Sequence, residues 1–343
     1  MKVLLVACNS PFSSGWHVRR ALKQLGCSVR VFDYRSYAQI SEEHRLFRFL
    51  LEKSPLLRKS FPILRKVNRM LINTALDFGP DLLLALKGEY IFPETIRAIK
   101  EELSISTALW FPDDPQLFES LSRHIAPSYD HVFTSSMKCI PKYKELGVKN
   151  VEYIAFACDP FLHRRVSLSG DERRRYACDL CFVGTWFPER SAILKHLCNF
   201  DLHIWGNYWS RLWISPKLWR HIKGSRRELP YPDMVKVFNA SKIVLNVHRN
   251  VMKYGGTKAN ARVFEATGCG AFHLTDKPKG IEELFRIGKE IVCYRTVDEL
   301  IELVNYYLNN PQEREIIAER GQKRAYKEHT YVHRVKRILS VAG

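Results

Sequence analysis

Short, uninterrupted apolar runs separated by amphipathic helical patterns set the strongest limit on what this chain can fold into. In the first half the runs fall at residues 3–7, 29–34, 82–86, 107–111, 131–135 and 151–155, with helical patterns such as 15–25 and 93–103 between them. A strand that is apolar on both faces must be covered on both faces. A helix between successive strands supplies that cover, so the pattern predicts a parallel sheet. Residues 159–175 are polar and basic and read as a linker. The alternation then restarts, with apolar runs at 180–183, 202–205, 243–247, 271–274 and 291–294. Helical segments at 190–199, 231–240, 260–267 and 281–285 separate them. Two doubly wound α/β domains in tandem satisfy this pattern, followed by helices at 297–308, 311–328 and 331–339.

A length of 343 residues and a hydrophobic content of 46% suit two cored domains. No apolar run approaches the roughly 18–20 residues of a membrane span. Leu5-Val6-Ala7-Cys8 has the look of a lipoprotein cleavage box. Its apolar run is shorter than the roughly 7–15 residues of a signal sequence, so a first strand is expected instead. Nine cysteines show no framework spacing, and the single CxxC, Cys178-Asp179-Leu180-Cys181, sits in a strand-like run. The expectation is a cytoplasmic chain with reduced thiols, touching the inner membrane surface peripherally.

The formal net charge of +18 calls for an anionic partner. Two basic clusters stand out. Across 44–78, Arg48, Lys53, Arg58, Lys59, Arg65 and Lys66 interleave with Leu46, Phe49, Leu57, Phe61 and Leu64, and Pro55 and Pro62 break the stretch into two helices. Such a basic amphipathic pair suits an anionic membrane surface, and suits equally a sheet-covering helix with a solvated face. The second cluster is RLWISPKLWRHIKGSRR at 211–227.

The chemistry-bearing segment is YGGTKANARVFEATGCGAF at 254–272. Gly255 and Gly256 form a loop that admits a ligand close to the backbone and leads into a helix. A helix start offers free N–H groups to a phosphate, and Thr257, Lys258 and Arg262 lie beside it. Glu265 falls about seven residues into that helix, roughly 10 Å along it, where its carboxylate can hold the two hydroxyls of a ribose. An ion pair with Arg262, one turn away, is the alternative. In CFVGTWFPER at 181–190, Gly184 opens a strand-to-helix turn and Arg190 follows, an arrangement that serves either a diphosphate or an ordinary turn.

Two loops at strand carboxyl ends in the first half carry candidate general bases. They are His17, Asp113 and Asp114. Asp114-Pro115 also suits a helix cap, which leaves Asp113 the stronger candidate.

The run Phe238-Asn239-Ala240-Ser241-Lys242-Ile243-Val244-Leu245-Asn246 is followed by Asn260-x-Arg262-x-Phe264-Glu265-Ala266-x-Gly268-Cys269-Gly270-Ala271 and Leu274-Thr275-Asp276. Then come Glu283-Leu284-Phe285-x-x-Gly288-x-Glu290, Pro311-x-Glu313-Arg314-x-x-x-Ala318-x-x-Gly321 and His329-Thr330-Tyr331-x-x-Arg334. Together these resemble the C-terminal domain of the CgeB-like glycosyltransferases, a branch of the GT-B superfamily. Trp110-Phe111-Pro112-Asp113-Asp114-Pro115 resembles the same family's aromatic-DDP segment.

The resemblance implies a GT-B fold, with two Rossmann-like doubly wound parallel-sheet domains facing a cleft. It implies a nucleotide-sugar donor held mainly by the second domain, with Glu265 on the ribose. The expected divisions are an acceptor domain at 1–160, a nucleotide-sugar domain at 161–325, and a C-terminal helix at 326–343 packing back on the first domain. Many retaining relatives place a second glutamate where this chain has Thr257, so stereochemistry stays open. The expected activity is glycosyl transfer from a nucleoside-diphosphate sugar to a hydroxyl on a glycan, lipid-linked or protein acceptor. No metal or other cofactor is expected, since Asp113-Asp114 lacks a spaced metal-binding pattern. Two alternatives are a non-catalytic sugar-nucleotide binder and a nucleic-acid-binding protein. No nucleic-acid signature supports the latter. The absence of G-x-G-x-x-G argues against a nicotinamide-dependent dehydrogenase.

Overall fold

The computed structural model describes residues 1–38, 59–209, 216–223, 229–250 and 255–343. Most of the first basic cluster and the ends of the second lie outside these residues, as does Tyr254. The chain forms two compact units, Met1–Ala155 with Tyr331–Gly343, and Phe156–Thr330.

In the first unit, strands β1 (Lys2–Val6), β2 (Ser28–Phe32), β3 (Leu82–Leu86), β4 (Ser106–Phe111), β5 (His131–Thr134) and β6 (Asn150–Tyr153) form one sheet in the order β2-β1-β3-β4-β5-β6. Every pairing is parallel. All five residues of β3 are buried, as a strand covered on both faces requires. One cover is the helix Pro62–Phe78, which starts on a proline at its first turn and stops at Gly79 in the left-handed region. Leu64, Val67, Leu71 and Ala75 recur at three- and four-residue spacing and face the core. Arg65, Lys66 and Arg69 face outward.

The last helix, Tyr331–Ala342, also belongs to this unit. It buries Val335, Ile338 and Ala342, and Arg337 grips both carboxylate oxygens of Glu152 at 2.8 and 3.0 Å.

In the second unit, β7 (Cys178–Val183), β8 (Leu202–Trp205), β9 (Ser241–Asn246), β10 (His273–Asp276) and β11 (Val292–Tyr294) form a parallel sheet in the order β11-β10-β9-β7-β8. Alternate residues of β7 feed two separate cores. Leu180 and Phe182 pack with Val304 and Ile317 of the C-terminal helices, while Cys181 and Val183 pack with Val237, Phe238 and Ala266. Both cysteines of the CxxC lie in β7, and their thiols are free.

Some local structure departs from the sequence expectations. The stretch read as a linker contains the helix Gly170–Tyr176, started by a reciprocal capping box between Ser169 and Glu172. The segment 281–285 is only a 3-10 turn, Ile281–Glu283. Asp114 does not cap a helix. It is fully buried, and its carboxylate accepts hydrogen bonds from Ser122 (2.9 Å), Thr134 (2.6 Å) and Tyr143 (2.7 Å). A carboxylate so enclosed is an anchor joining β4, β5 and the following helices, which removes it from the candidate bases.

Two predictions follow from this packing. Asp114→Ala leaves three buried hydroxyls without their acceptor and should cost about 2–4 kcal/mol in urea denaturation. Asp113→Asn, at a half-exposed ion pair, should cost no more than about 1 kcal/mol. The second prediction concerns His273, which burial first, and then the nearby Arg262 charge among others, push down to about 3. The unfolded chain takes up that proton near 6.5 and the folded chain does not. Stability is therefore complete above about pH 6.5 and falls toward pH 3, by up to about 1.4 kcal/mol per pH unit. His273→Leu should flatten this slope in pH-dependent denaturation, and an unchanged slope would exclude His273 as its source.

Candidate functional site

In an open parallel sheet, ligands bind beyond the carboxyl ends of strands where the direction of winding reverses. In the second unit that point lies between β7 and β9, which are neighbours, with later strands added on one side and β8 on the other. Gly184 follows β7 and Val247 follows β9.

Arg190, on the helix Pro188–Leu194, ties the two strand ends together. Its Nη1 donates to the Thr185 carbonyl at 2.7 Å and its Nε to the Val247 carbonyl at 3.0 Å. Its guanidinium is buried and lies 5.4 Å from the Phe182 ring and 5.2 Å from the Phe187 ring. Arg262 approaches the same Phe182 ring at 5.8 Å, and Arg249 stacks on Phe187 at 3.9 Å. Gly184 lies in the middle. A Cβ there would stand 3.1 Å from Arg262 Nη1 and 3.2 Å from Arg190 Nη1. The Gly184 carbonyl accepts from Trp209 Nε1 at 2.7 Å, and Gly206, at φ +135°, passes so close behind it that a side chain would collide. Burial, then the charges of Arg262 and Arg249, push the Arg190 guanidinium down to about 9. Cations held this close in a partly dry site repel one another until an anion arrives.

The neighbouring helix, Ala261–Gly268, is open at its start. Asn260 occupies the N-cap, where asparagine normally bonds the first amides, yet its side chain makes no such bond. It turns inward and exchanges hydrogen bonds with Asn246 at 3.1 and 3.3 Å. His248 holds the Asn260 backbone: Nε2 accepts the Asn260 N–H at 3.1 Å, so the ring proton sits on Nδ1, 2.7 Å from Asp276 Oδ1. Asn246 also reaches Thr275 at 3.1 Å. This buried network fixes the helix start while leaving its first N–H groups uncapped, which is the local arrangement of an anion site.

The predicted residues of this segment fall as follows. Gly255 and Gly256 form the turn, with Gly256 at φ +84°. Thr257 is buried and its hydroxyl has no hydrogen-bond partner. Lys258 is ion-paired with Glu283, which draws part of its charge away from the helix start. Because the helix begins at Ala261, Glu265 is its fifth residue, roughly 6 Å from the start rather than 10 Å. Glu265 is 6% exposed and accepts from the Tyr231 hydroxyl at 3.0 Å; the alternative partner, Arg262, points instead toward Phe182.

The structure thus groups Gly184, Arg190 and Arg262 around one switch point, with Thr257 and Glu265 on the adjoining loop and helix. Asp113 and His17 belong to the first unit. Asp113 follows β4 and pairs with Lys87 at 2.9 Å, its side chain 43% exposed. His17 is buried in the helix Ser14–Gln24, stacked on Tyr331 with ring centroids 4.8 Å apart. Behind Lys87, buried Glu89 accepts from Tyr34 (2.5 Å) and Arg35 (2.5 and 3.0 Å). Burial alone would raise its carboxyl, but Lys87 and Arg35 hold it down to about 2.

Sequence reading assigned no role to Arg249, Tyr231, or the set Asn246, His248, Asn260, Thr275 and Asp276. The available signal was the clustering of polar residues just past two apolar strands, Asn246-x-His248-Arg249 and Thr275-Asp276.

Comparison with known proteins bears on this geometry. Residues 190–340 match the glycosyl transferase-like family. The spore protein CgeB of Bacillus subtilis (strain 168) is 26% identical over 258 residues, covering 72% of this chain and 78% of that protein. Anabaena Alr3699/HepE in complex with UDP-glucose has the same fold with a TM-score of 0.65 at 15% identity, over 99% of this chain and 100% of its own. Sucrose-phosphate synthase from Thermosynechococcus elongatus gives a TM-score of 0.67 at 11% identity, over 99% and 98% of the two chains. The two parallel sheets and these likenesses agree on the two-domain GT-B fold, and residues 190–340 are similar to glycosyl transferase-like proteins.

Proposed function

We propose that the protein transfers a sugar from a nucleoside-diphosphate donor to an acceptor hydroxyl. The observation that carries this reading is the pairing of two guanidinia around Gly184 beside an uncapped helix start. A diphosphate fits both features, since it carries enough negative charge to relieve the repulsion around Arg190 and enough oxygens to accept from N–H groups at a helix start without a side-chain cap. Glu265, oriented by Tyr231, takes the ribose hydroxyls. That neighbours of the same fold bind UDP and UDP-glucose supports a nucleotide of this kind.

In the transfer, the bond between the sugar's anomeric carbon and the diphosphate oxygen breaks, and that oxygen keeps the electron pair. The acceptor oxygen bonds to the anomeric carbon and gives its proton to a base, for which Asp113 is the candidate. Arg190, Arg262 and the helix start stabilise the charge that grows on the leaving diphosphate, work that needs no metal ion. The acceptor is a hydroxyl on a glycan, lipid-linked or protein substrate. The exposed basic face of Lys59, Arg65, Lys66 and Arg69 supports docking at an anionic membrane surface, where a lipid-linked acceptor would be reached.

A thermal-shift panel of UDP-, GDP-, dTDP- and CMP-sugars tests the reading. One diphosphate class should raise the melting temperature by about 5 °C or more at roughly 100-fold over its Kd. The shift should survive EDTA. Glu265→Ala should abolish it while the unliganded protein stays folded. Absence of any shift across the panel would contradict the proposal.

A further inference from the structure

We propose that Arg249 is a third cation of the diphosphate site, held against Phe187 for the anion rather than for the fold; this rests on the donor reading above. Its position is fixed from behind. The preceding residue, His248, is clamped to Asp276 through both its backbone N–H (2.9 Å) and its ring (2.7 Å). Arg249 therefore leaves β9 from a rigid point beside the switch-point crevice.

Its surroundings differ from those of the structural arginines. Arg35 closes on buried Glu89, and Arg337 grips Glu152 with two hydrogen bonds. Arg249 makes no ion pair among the described residues, and its Nε is buried with no hydrogen-bond partner. Its contact is the Phe187 ring, which faces the guanidinium of Arg190 as well. Two cations on one ring, one of them short of acceptors, is an arrangement that costs stability in the empty protein. Phosphate oxygens supply the missing acceptors. When the glycosidic bond breaks, the added negative charge lands on the phosphate next to the sugar, and a guanidinium not tied up in an ion pair, with Glu189 its nearby carboxylate, is available to meet it.

The test compares the wild-type protein with Arg249→Gln, using inorganic pyrophosphate, UDP and UMP as probes. Unliganded Arg249→Gln should melt at or above the wild-type temperature, since it loses no ion pair and one like charge near Arg190. Its affinity for pyrophosphate and UDP should fall about tenfold or more, with UMP affinity changed little, so that the preference for UDP over UMP collapses. Arg249→Lys should restore part of that preference. An unchanged preference in Arg249→Gln overturns the role of Arg249 and leaves the donor reading standing. A clear drop in its unliganded melting temperature overturns it too, by marking the side chain as structural. If pyrophosphate binding depends on Arg249 but UDP binds no better than pyrophosphate, the donor reading fails and Arg249 remains an anion ligand. If neither probe binds the wild type, both fail.

Discussion

Like charges gathered at one end of a parallel sheet are the constraint around which the second unit is built. Arg190, Arg249 and Arg262 share two phenylalanine rings, and Arg190 and Arg262 also share the space over one glycine. Burial makes their mutual repulsion larger than it would be in water, and burial first, then that repulsion, depress the Arg190 guanidinium. The fold tolerates this because Arg190 also does mechanical work, bridging carbonyls on both sides of the switch point. A site that stores repulsion in the empty state releases it when a polyanion binds, and releases more as the anion gains charge.

Holding the helix start open is the complementary task. An asparagine at an N-cap would ordinarily close it. Here the Asn246–Asn260 pair and the His248–Asp276 pair draw the capping groups inward, so no side chain caps the helix start. The two devices are linked through β9 and the residues just beyond it. Asn246 and His248 hold the helix, Val247 receives Arg190, and Arg249 follows directly. Four consecutive positions thereby serve one end of the sheet, which explains a run of polar residues at the close of an apolar strand.

Much of the architecture was legible in the chain. All eleven strands of the described residues fall within a few positions of the apolar runs, clearest in fully buried β3, while the edge strands β2 and β6 carry polar residues such as Arg30 and Glu152. The helix at Gly170–Tyr176 was hidden by its charge, although its Ser169-x-x-Glu172 capping box is written in the sequence. The candidate site was readable only where its residues are close together in sequence. Gly184, Arg190, Arg262 and Glu265 sit in recognisable turn-and-helix segments. Tyr231 meets Glu265 across 34 positions, and the acceptors and donors around Asp114 come from residues up to 29 positions away. Such contacts depend on strand order, which periodicity does not specify. Asp113 and Asp114 illustrate the limit: adjacent and chemically alike, they are separated only by tertiary packing into a solvent-facing carboxylate and a buried anchor.

The most direct measurement is a crystal structure with a nucleoside-diphosphate sugar bound. The account predicts phosphate oxygens within about 3 Å of the Arg190 and Arg262 guanidinia and of the amides at residues 261–262, with the ribose against Glu265. A diphosphate bound elsewhere on the chain, away from the switch-point arginines, would contradict it.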